Sequence, residues 1–309
     1  MKNNIVVVGS SNVDLLIKTD HLPGVGETVT DGEFFQVYGG KGANQAVAAA
    51  RSGGKVRFVN CVGEDAYTPQ MIRNYEADGI DTRWVFREKG IASGHALIMI
   101  GEAGNNYLAV APGANYRLTP QKITEAMPAF EQAGMILMQY EIPEETIRKV
   151  MDLAGEKAIP VLWNFAPARA FDTAYLSRAD ILVVNEVEAA FLAGFPVAGE
   201  EDAERAAGTL MDAGVHKVIV TLGQEGALAI STEERCLVPA FRVTAVDTTA
   251  AGDTFCGCLA VALMEGSPLE QAVRFASAAA AISVTRMGAQ PSAPTRQEID
   301  AFLEAEGST

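Results

Sequence analysis

The sequence predicts an α/β protein with a mostly parallel, doubly wound sheet flanked by helices. Three observations support this class: short runs that are apolar throughout alternate with stretches of helical periodicity, the turns between them are short, and no repeat, low-complexity tract or long linker interrupts them. Strands that are apolar on both faces are typical of parallel sheets covered by helices, and alternating strands and helices are typical of the doubly wound class. We therefore expect residues 1–309 to form one domain.

Six short apolar runs are predicted to be the buried strands. They are 5–8, 56–61, 135–138, 161–163, 181–184 and 218–221. The predicted helices are 43–51, 69–77, 144–154, 186–193, 202–212, 252–264, 269–284 and 296–304. The final helices follow one another without an intervening strand, so the C-terminal part is predicted to be mostly helical.

Two pairs of runs break this alternation and predict a small extra sheet. Each pair flanks a segment rich in turn-forming residues, and each run alternates in polarity as half-exposed strands do. The runs are 13–19, 33–37, 92–100 and 107–110. The segments 13–38 and 92–111 would thus project from the main body. A lid over a ligand is one interpretation; an edge extension or a dimer surface is the other.

Charge and composition exclude several classes of function. The chain has 24 Lys and Arg against 39 Asp and Glu, which gives a net charge of −15 that repels phosphate backbones and anionic lipid. Hydrophobic residues make up 49%, enough for a large core. No apolar run approaches the roughly 18 residues of a membrane span. We therefore expect neither nucleic acid nor a membrane as a partner.

The cysteines and the N-terminus indicate the cytoplasm. Four cysteines make a poor disulfide framework for this length, so reduced thiols are expected. The short run 5–8 reads as a strand and not as a signal peptide. No G-x-G-x-x-G opens a helix after a strand, which disfavours a nicotinamide-dependent oxidoreductase.

The most informative motif is the run 246–255, which leads into a predicted apolar helix. Gly252 permits a tight turn, and a helix start carries partial positive charge, so the run is suited to hold phosphate. Asp253 would lie beside that anion, where a carboxylate can take a proton from a hydroxyl that attacks phosphorus. The alternative is a simple helix cap, but a cap does not require the small residues at 249–252.

Two further segments carry polar groups into predicted helices. In the glycine-rich run 39–45, Lys41 and Asn44 can donate hydrogen bonds to a ligand, although a plain turn into a helix explains the run as well. Asn185 and Glu188 follow a strand at the edge where α/β folds bind ligands, and they share a helical face. Their oxygens suit hydrated Mg²⁺, and an N-cap with a solvated Glu is the alternative.

Other polar groups follow strands and remain open to two interpretations. The run 221–226 could hold nucleotide phosphates or form a hairpin turn. Asn12 and Asp14 could bind sugar hydroxyls or merely cap and turn the chain. Glu141 follows the strand at 135–138 and could bind a ligand or be solvated.

Together these motifs resemble those of the ribokinase-type (phosphofructokinase B) carbohydrate kinases. The runs 39–44 and 247–253 match the two signature regions of that family, and the likeness extends from the first strand to the last helix. Further matches occur in order at 12–14, 138–141, 166–169, 185–188, 221–223 and 288–292. The resemblance implies a ribokinase-like fold with a β lid that often serves as a dimer interface, and hence a homodimer.

The resemblance also implies site residues. Asp253 would take the proton of the sugar hydroxyl, while backbone N–H groups around Ala250, Ala251 and Gly252 stabilise the transferred phosphoryl. The sugar would be held by Asn12, Asp14, Gly40, Lys41, Asn44, Glu141 and Asp253. The nucleotide would face Asn185, Thr221, Gly223, Gly226 and Gly252, with Ser277 near adenine. Glu188 would help place Mg²⁺ through water, and a K⁺ site built largely of backbone carbonyls would be formed by Asp247, Thr249, Ser283, Arg286, Gly288 and Ser292.

The implied activity is transfer of the γ-phosphoryl of ATP to the 5-hydroxyl of D-ribose. Asn12 and Asp14 together favour a sugar with adjacent hydroxyls, hence ribose over deoxyribose. A kinase for another small sugar, such as deoxyribose or fructose, is the nearest alternative. A non-catalytic sugar or nucleotide sensor on the same scaffold is a second, which the presence of Asp253 and Glu188 disfavours.

Overall fold

The strands and helices come from a computed structural model that describes residues 3–102 and 104–307. Within these residues the strands are β1 (Asn4–Val8), β2 (Asn12–Thr19), β3 (Glu33–Gly39), β4 (Lys55–Gly63), β5 (Val85–Glu88), β6 (Gly94–Gly101), β7 (Asn106–Ala111), β8 (Ala133–Met138), β9 (Val161–Asn164), β10 (Ile181–Asn185), β11 (Lys217–Thr221), β12 (Ala227–Ser231) and β13 (Arg235–Val238). The α-helices are α1 (Lys41–Arg51), α2 (Thr68–Ala77), α3 (Pro120–Glu125), α4 (Glu144–Lys157), α5 (Glu186–Ala193), α6 (Gly199–Asp212), α7 (Ala251–Met264), α8 (Leu269–Val284) and α9 (Arg296–Gly307).

The main sheet has the predicted class. Its strand order over the described residues is β13-β12-β11-β10-β9-β8-β1-β4-β5. Strands β11 to β5 in this order run parallel, and β12 and β13 add an antiparallel edge. All six predicted strands lie in the parallel part. Strands β5, β12 and β13 and the short helix α3 were not predicted.

The two faces of the main sheet are covered by different helices. In β1, Ile5 and Val7 contribute to the core shared with α1, α2, α7 and α8, whereas Val6 and Val8 contribute to the core shared with α3, α4 and α6. Alternate residues of a strand point to opposite faces, so a strand between two helical layers must be apolar at every position. This explains why the parallel strands read as unbroken apolar runs.

The four remaining strands form a second, small sheet in the order β3-β2-β6-β7. The predicted pairs are antiparallel hairpin partners, β2 with β3 and β6 with β7, and the hairpins join through parallel pairing of β2 with β6. The small sheet carries exposed apolar side chains at Phe34, Leu97, Leu108 and Val110. The predicted extra sheet is therefore confirmed, and it presents an apolar surface.

Within the described residues, no helix is both long enough and apolar enough to cross a membrane. The apolar run 275–285 lies mostly in α8, where Phe275 and Ile282 pack in the core. The four cysteines are free thiols, and burial is the main cause that raises the pKa of Cys61 to about 11 and that of Cys258 to about 12.

Candidate active site

The predicted site residues gather at the carboxyl edge of the main sheet. Asn12 follows the end of β1, Glu141 follows β8, and Asn185 and Thr221 are the last residues of β10 and β11. Parallel strands end at a common edge, so residues far apart in sequence come together there. Helices α1 and α7 begin at Lys41 and Ala251 and supply the remaining groups.

Asp253 lies in the first turn of α7 and is 6% exposed. Its Oδ2 accepts a hydrogen bond from Asn44 Nδ2 at 2.8 Å, and its Oδ1 accepts one from Gln45 Nε2 at 3.0 Å. The residue that caps α7 is Ala250, which makes no side-chain capping bond. Asp253 is therefore held by α1 and does not serve as a helix cap, so the capping alternative is wrong.

The turn into α7 differs from the prediction in one respect. Gly252 was expected to supply the tight turn, but the left-handed residue is Ala250, with φ of 61°. Gly252 is helical and exposed, and a Cβ built on it would meet no heavy atom within 4 Å. The expectation about Gly252 is wrong because the reversal occurs two residues earlier. The open space beside Gly252 leaves room for an anion at the helix start, where backbone N–H groups favour one.

Gly40 precedes α1 and allows its backbone to lie close to the backbone at the start of β2. Its φ is 89°, and a Cβ on it would lie 2.7 Å from the backbone nitrogen of Asn12, so only glycine fits. Glu141 Oε2 accepts hydrogen bonds from the Lys41 backbone nitrogen at 3.0 Å and from the Ser10 hydroxyl. Glu141 is thus not merely solvated, because it ties the end of β8 to the helix start.

Lys41 lies among three carboxylates. Burial opposes its charge, but Asp253, Glu141 and Glu188 outweigh burial and raise the pKa of Lys41. A lysine in this setting stays protonated near neutral pH. It supplies a fixed positive charge at the centre of an otherwise acidic site, where an anionic phosphoryl group could be held.

Asn12 and Asp14 lie at the start of β2, where the chain passes from the main sheet to the small sheet. Burial, with the charge of Glu141, raises the pKa of Asp14 to about 7, and its Oδ1 is enclosed with no hydrogen-bond partner in the part of the chain that the structure describes. Asn12 Oδ1 accepts a hydrogen bond from Asn115 Nδ2 at 2.8 Å. A carboxylate oxygen without a donor is suited to accept a hydrogen bond from a hydroxyl group of a ligand.

Asn185 and Glu188 form a reciprocal capping box at the start of α5. Asn185 Oδ1 accepts from the Glu188 backbone nitrogen, and Glu188 Oε2 accepts from the Asn185 backbone nitrogen, both at 2.9 Å. The capping alternative is therefore confirmed for Asn185. Glu188 is 5% exposed, so it is not the solvated residue of that alternative. Burial raises the pKa of Glu188, although the Asn185 N–H and Lys41 favour its charged form.

The run 221–226 forms a hairpin turn between β11 and β12. Thr221 ends β11, Gly223 begins a short 3-10 turn, and Gly226 closes it by accepting through its carbonyl from Leu222 N at 2.8 Å. The hairpin alternative is confirmed. The turn lies at the carboxyl edge of the sheet, so its position is compatible with a nucleotide contact as well. Ser277 is half-buried on α8.

The six residues predicted to surround K⁺ lie in two adjoining segments, the loop before α7 and the stretch from the end of α8 to Ser292. Asp247 accepts from the backbone nitrogens of Thr249 and Gly288, both at 2.9 Å, and its own backbone nitrogen donates to the Val284 carbonyl. Burial opposes the charge of Asp247, but hydrogen bonds from the Thr249 hydroxyl and from these N–H groups outweigh burial and lower its pKa. Ser283 and Ser292 are fully buried. The side chain of Arg286 points elsewhere, toward Glu298 at 2.6 Å, so only its backbone could face such a site.

Comparison of the sequence with known protein families gives a match. Residues 2–296 match the pfkB family of carbohydrate kinases. The chain belongs to this family. It is 40% identical over 304 residues to ribokinase from Haemophilus influenzae, a match that covers 98% of this chain and 99% of that protein.

Further comparisons relate this pfkB-family kinase to two other proteins. Deoxyribokinase from Salmonella typhi is 38% identical over 301 residues, covering 97% of this chain and 98% of that protein. The solved structure of Arabidopsis thaliana ribokinase complexed with ribose and ATP superposes with a TM-score of 0.93 at 32% identity, covering 98% of this chain and 99% of that one. The predicted ribokinase-like fold is confirmed, and the chain is a phosphotransferase of the carbohydrate kinase class.

Several polar residues of this kinase were not among the predicted site residues. They are Ser10, Gln45, Asn115, Gln139 and Asn164, all buried. Gln45 and Gln139 lie in the runs 39–45 and 138–141, which the sequence analysis names as motifs. A polar residue beside apolar ones in such a run could have indicated a buried hydrogen-bonding group. Asn115 lies in a 3-10 turn about a hundred residues after Asn12 and donates a hydrogen bond to it. No local sequence pattern predicts this contact.

Proposed function

We propose that this chain transfers the γ-phosphoryl group of ATP to the 5-hydroxyl of D-ribose, giving ribose 5-phosphate and ADP, with Asp253 as the base. One observation carries the proposal. A buried carboxylate, hydrogen-bonded through both oxygens, stands at the start of α7 beside the open space at Gly252. That is the position from which a base can reach a hydroxyl that attacks a bound phosphate.

In the proposed reaction, Asp253 takes the proton of the 5-hydroxyl while the hydroxyl oxygen attacks the γ-phosphorus. The bond from the γ-phosphorus to the β,γ-bridging oxygen breaks, and ADP leaves. Negative charge on the transferred group is met by backbone N–H groups around Ala250, Ala251 and Gly252 and by the charge of Lys41. Most of the rate enhancement would come from positioning and charge stabilisation.

The sugar would be held by hydrogen bonds from the carboxyl edge and the base of the small sheet. The groups assigned to this task are Asn12, Asp14, Gly40, Lys41, Asn44 and Glu141. The unpartnered Oδ1 of Asp14 supports a ligand that carries a hydroxyl group, since a hydroxyl can donate a hydrogen bond to it. Deoxyribose is the second candidate, because the deoxyribokinase relative is nearly as similar as the ribokinase one.

The nucleotide would lie between the α7 start and the ends of β10 and β11. Its contacts would come from Asn185, Thr221, Gly223, Gly226, Gly252 and Ser277. Glu188 would help hold Mg²⁺ through water; within the described residues no cluster of three acidic, His or Cys side chains surrounds it, and a single carboxylate suits an ion that keeps most of its water. Bound Mg²⁺ would neutralise charge on the β- and γ-phosphates.

A monovalent cation such as K⁺ fits the two segments that meet at Asp247, the loop before α7 and the stretch from the end of α8 to Ser292. An ionised carboxylate and the buried residues Ser283 and Ser292 lie there, and backbone carbonyls of this region would supply most ligands. The set assigned to this ion is Asp247, Thr249, Ser283, Arg286, Gly288 and Ser292. The bound ion would order the turn that leads to Ala250 without contacting the substrate.

We further propose that the whole chain acts as one kinase domain and that the small sheet closes over the sugar as a lid. Its exposed apolar residues, among them Phe34, Leu97 and Leu108, support a homodimer formed through that surface. The free thiols support an enzyme of the cytoplasm.

A panel of sugars tests the proposed substrate. ADP release is measured with ribose, deoxyribose and fructose in the presence of ATP, Mg²⁺ and K⁺. We expect the largest kcat/KM with ribose. A larger value with deoxyribose would transfer the assignment to that sugar, and thermal stabilisation by sugar or ATP without sugar-dependent ADP release would indicate a sensor.

A further inference from the structure

A chain of buried amide side chains leads to Asp253 from the side away from solvent. Gln45 and Gln139 are fully buried, and Asn164 is 7% exposed. Gln45 Nε2 donates to Asp253 Oδ1 and to Asn164 Oδ1, both at 3.0 Å. Gln139 Nε2 donates to Gln45 Oε1 at 2.6 Å, and Asn164 Nδ2 donates to the Val183 carbonyl at 3.1 Å. The chain thus joins α7 to α1 and to the ends of β8, β9 and β10.

The partners fix the orientations of the Asn164 and Gln45 amides. The Val183 carbonyl can only accept, so Asn164 presents its oxygen to Gln45. Gln45 must then use both N–H groups of its amide, one toward Asn164 and one toward Asp253, and its oxygen is left for Gln139. A reversed Gln45 amide would set oxygen against the carboxylate of Asp253 and against Asn164 Oδ1. One arrangement therefore satisfies both Gln45 and Asn164, and that arrangement aims a donor at Asp253, whereas Gln139 Oε1 is buried without a partner among the described residues.

The space for this network is provided by the backbone of the first strand. A Cβ on Gly9 would lie 2.1 Å from Gln139 Oε1 and 2.7 Å from the Gly42 backbone. A side chain at Gly9 would therefore push Gln139 away from Gln45. Glycine at position 9 thus leaves room both for the Gln139 amide and for the backbone at the start of α1.

We infer that Gln45 is a positioning residue for Asp253, and that Gln139 acts through Gln45 by fixing the direction of its amide. The inference rests on the proposed role of Asp253 as base. Gln45 is fully buried, so it does not contact the substrate. Its hydrogen bond holds Oδ1, while Asn44 holds Oδ2, so the carboxylate cannot rotate away from the attacking hydroxyl. A misplacement of about 1 Å can cost about 100-fold in rate.

Steady-state kinetics of three variants tests this inference. Gln45→Met keeps the length of the side chain and removes its hydrogen bonds, Gln139→Met removes the donor to Gln45, and the double variant combines them. The matched control is Gln121→Met on α3, where the exposed amide donates a hydrogen bond to Glu125 in the next turn of the helix. Thermal unfolding and binding of a non-hydrolysable ATP analogue are measured for each protein.

We expect Gln45→Met to lower kcat by about 10- to 100-fold while KM for ribose changes less than about threefold. Gln139→Met should lower kcat by a smaller factor, about 3- to 10-fold, and the double variant should match Gln45→Met alone, because residues acting through one another are not additive. The control should keep the wild-type kcat.

Three results would overturn the inference. They are a folded Gln45→Met with kcat within twofold of wild type, a loss confined to KM, or a double variant whose losses multiply. If Gln45→Met does not fold, Gln139→Met decides, and an unchanged kcat there refutes the inference. Wild-type protein that forms no ADP with any sugar would instead refute the proposed function, which separates the two failures.

Discussion

Binding of ribose should tighten as the pH rises from 6 to 8, because we expect the sugar to bind the ionised form of Asp14, in which both carboxylate oxygens accept hydrogen bonds. Burial, with the charge of Glu141, raises the pKa of Asp14 to about 7. The enclosed Oδ1 has no donor of its own among the described residues. A sugar hydroxyl that donates there favours the ionised carboxylate, so bound sugar lowers the pKa and releases a proton.

The magnitude follows from the fraction of ionised Asp14. With a pKa of about 7, about 9% is ionised at pH 6 and about 91% at pH 8, so the dissociation constant for ribose should fall about tenfold across this range. About half a proton should be released for each sugar bound at pH 7. Lys41 has a raised pKa and stays charged throughout, so it adds no titration in this window.

Isothermal titration calorimetry measures both quantities. Ribose is titrated into the protein without nucleotide at pH 6, 7 and 8, in buffers of different protonation enthalpy. Asp14→Asn should bind weakly with no pH dependence, and Glu141→Gln should move the transition to lower pH because one neighbouring charge is gone. A dissociation constant that is flat from pH 6 to 8, with no proton release, would refute this account of Asp14.

Three other predictions concern stability and metal dependence. Gly40→Ala should lower the free energy of unfolding by about 1–3 kcal/mol, since φ is 89° and the added Cβ would lie 2.7 Å from Asn12 N. Urea unfolding measures this change, and an unchanged midpoint would argue against it. Arg51→Met should lower the free energy of unfolding by about 2–3 kcal/mol in the same assay and leave kcat unchanged, because Arg51 pairs with Asp78 and donates to two backbone carbonyls. A loss below about 0.5 kcal/mol, the size of an ordinary surface change, would contradict it. Removing divalent ions with EDTA should abolish ADP formation, and Mg²⁺ should restore it, whereas turnover that persists in EDTA would exclude the role given to Glu188.

Much of the fold could be predicted from local sequence. The limits of α5 and α8 were predicted to the residue, since Asn185 and Glu188 form a capping box and Pro268 precedes α8. The parallel strands were evident because both faces are buried. Strand β13 was missed because it is the edge strand, where partial exposure interrupts the apolar run, and the five-residue strand β12 beside it was missed although its first three residues are buried. Strand β5 has only four residues and too little pattern to separate it from a loop.

The site was predictable where one segment carries both the ligand group and its turn. The runs around Lys41 and Asp253 are of this kind. The support of each group was not predictable, because it comes from distant segments: Asn115 holds Asn12, and Gln139 reaches Asp253 through Gln45. The left-handed residue of the α7 turn was misassigned because glycine is the usual residue for that conformation, and Ala250 adopts it here.

The most direct test of the account replaces Asp253 by asparagine. We expect Asp253→Asn to lower kcat by about 100- to 10,000-fold while the dissociation constants for ATP and ribose change less than about threefold. Asp152→Asn on α4, which loses only a surface ion pair with Arg178, serves as the control. Thermal unfolding is measured as well, because Asn44 and Gln45 both donate to Asp253. A folded Asp253→Asn protein that phosphorylates ribose at a near-normal rate would contradict the central claim.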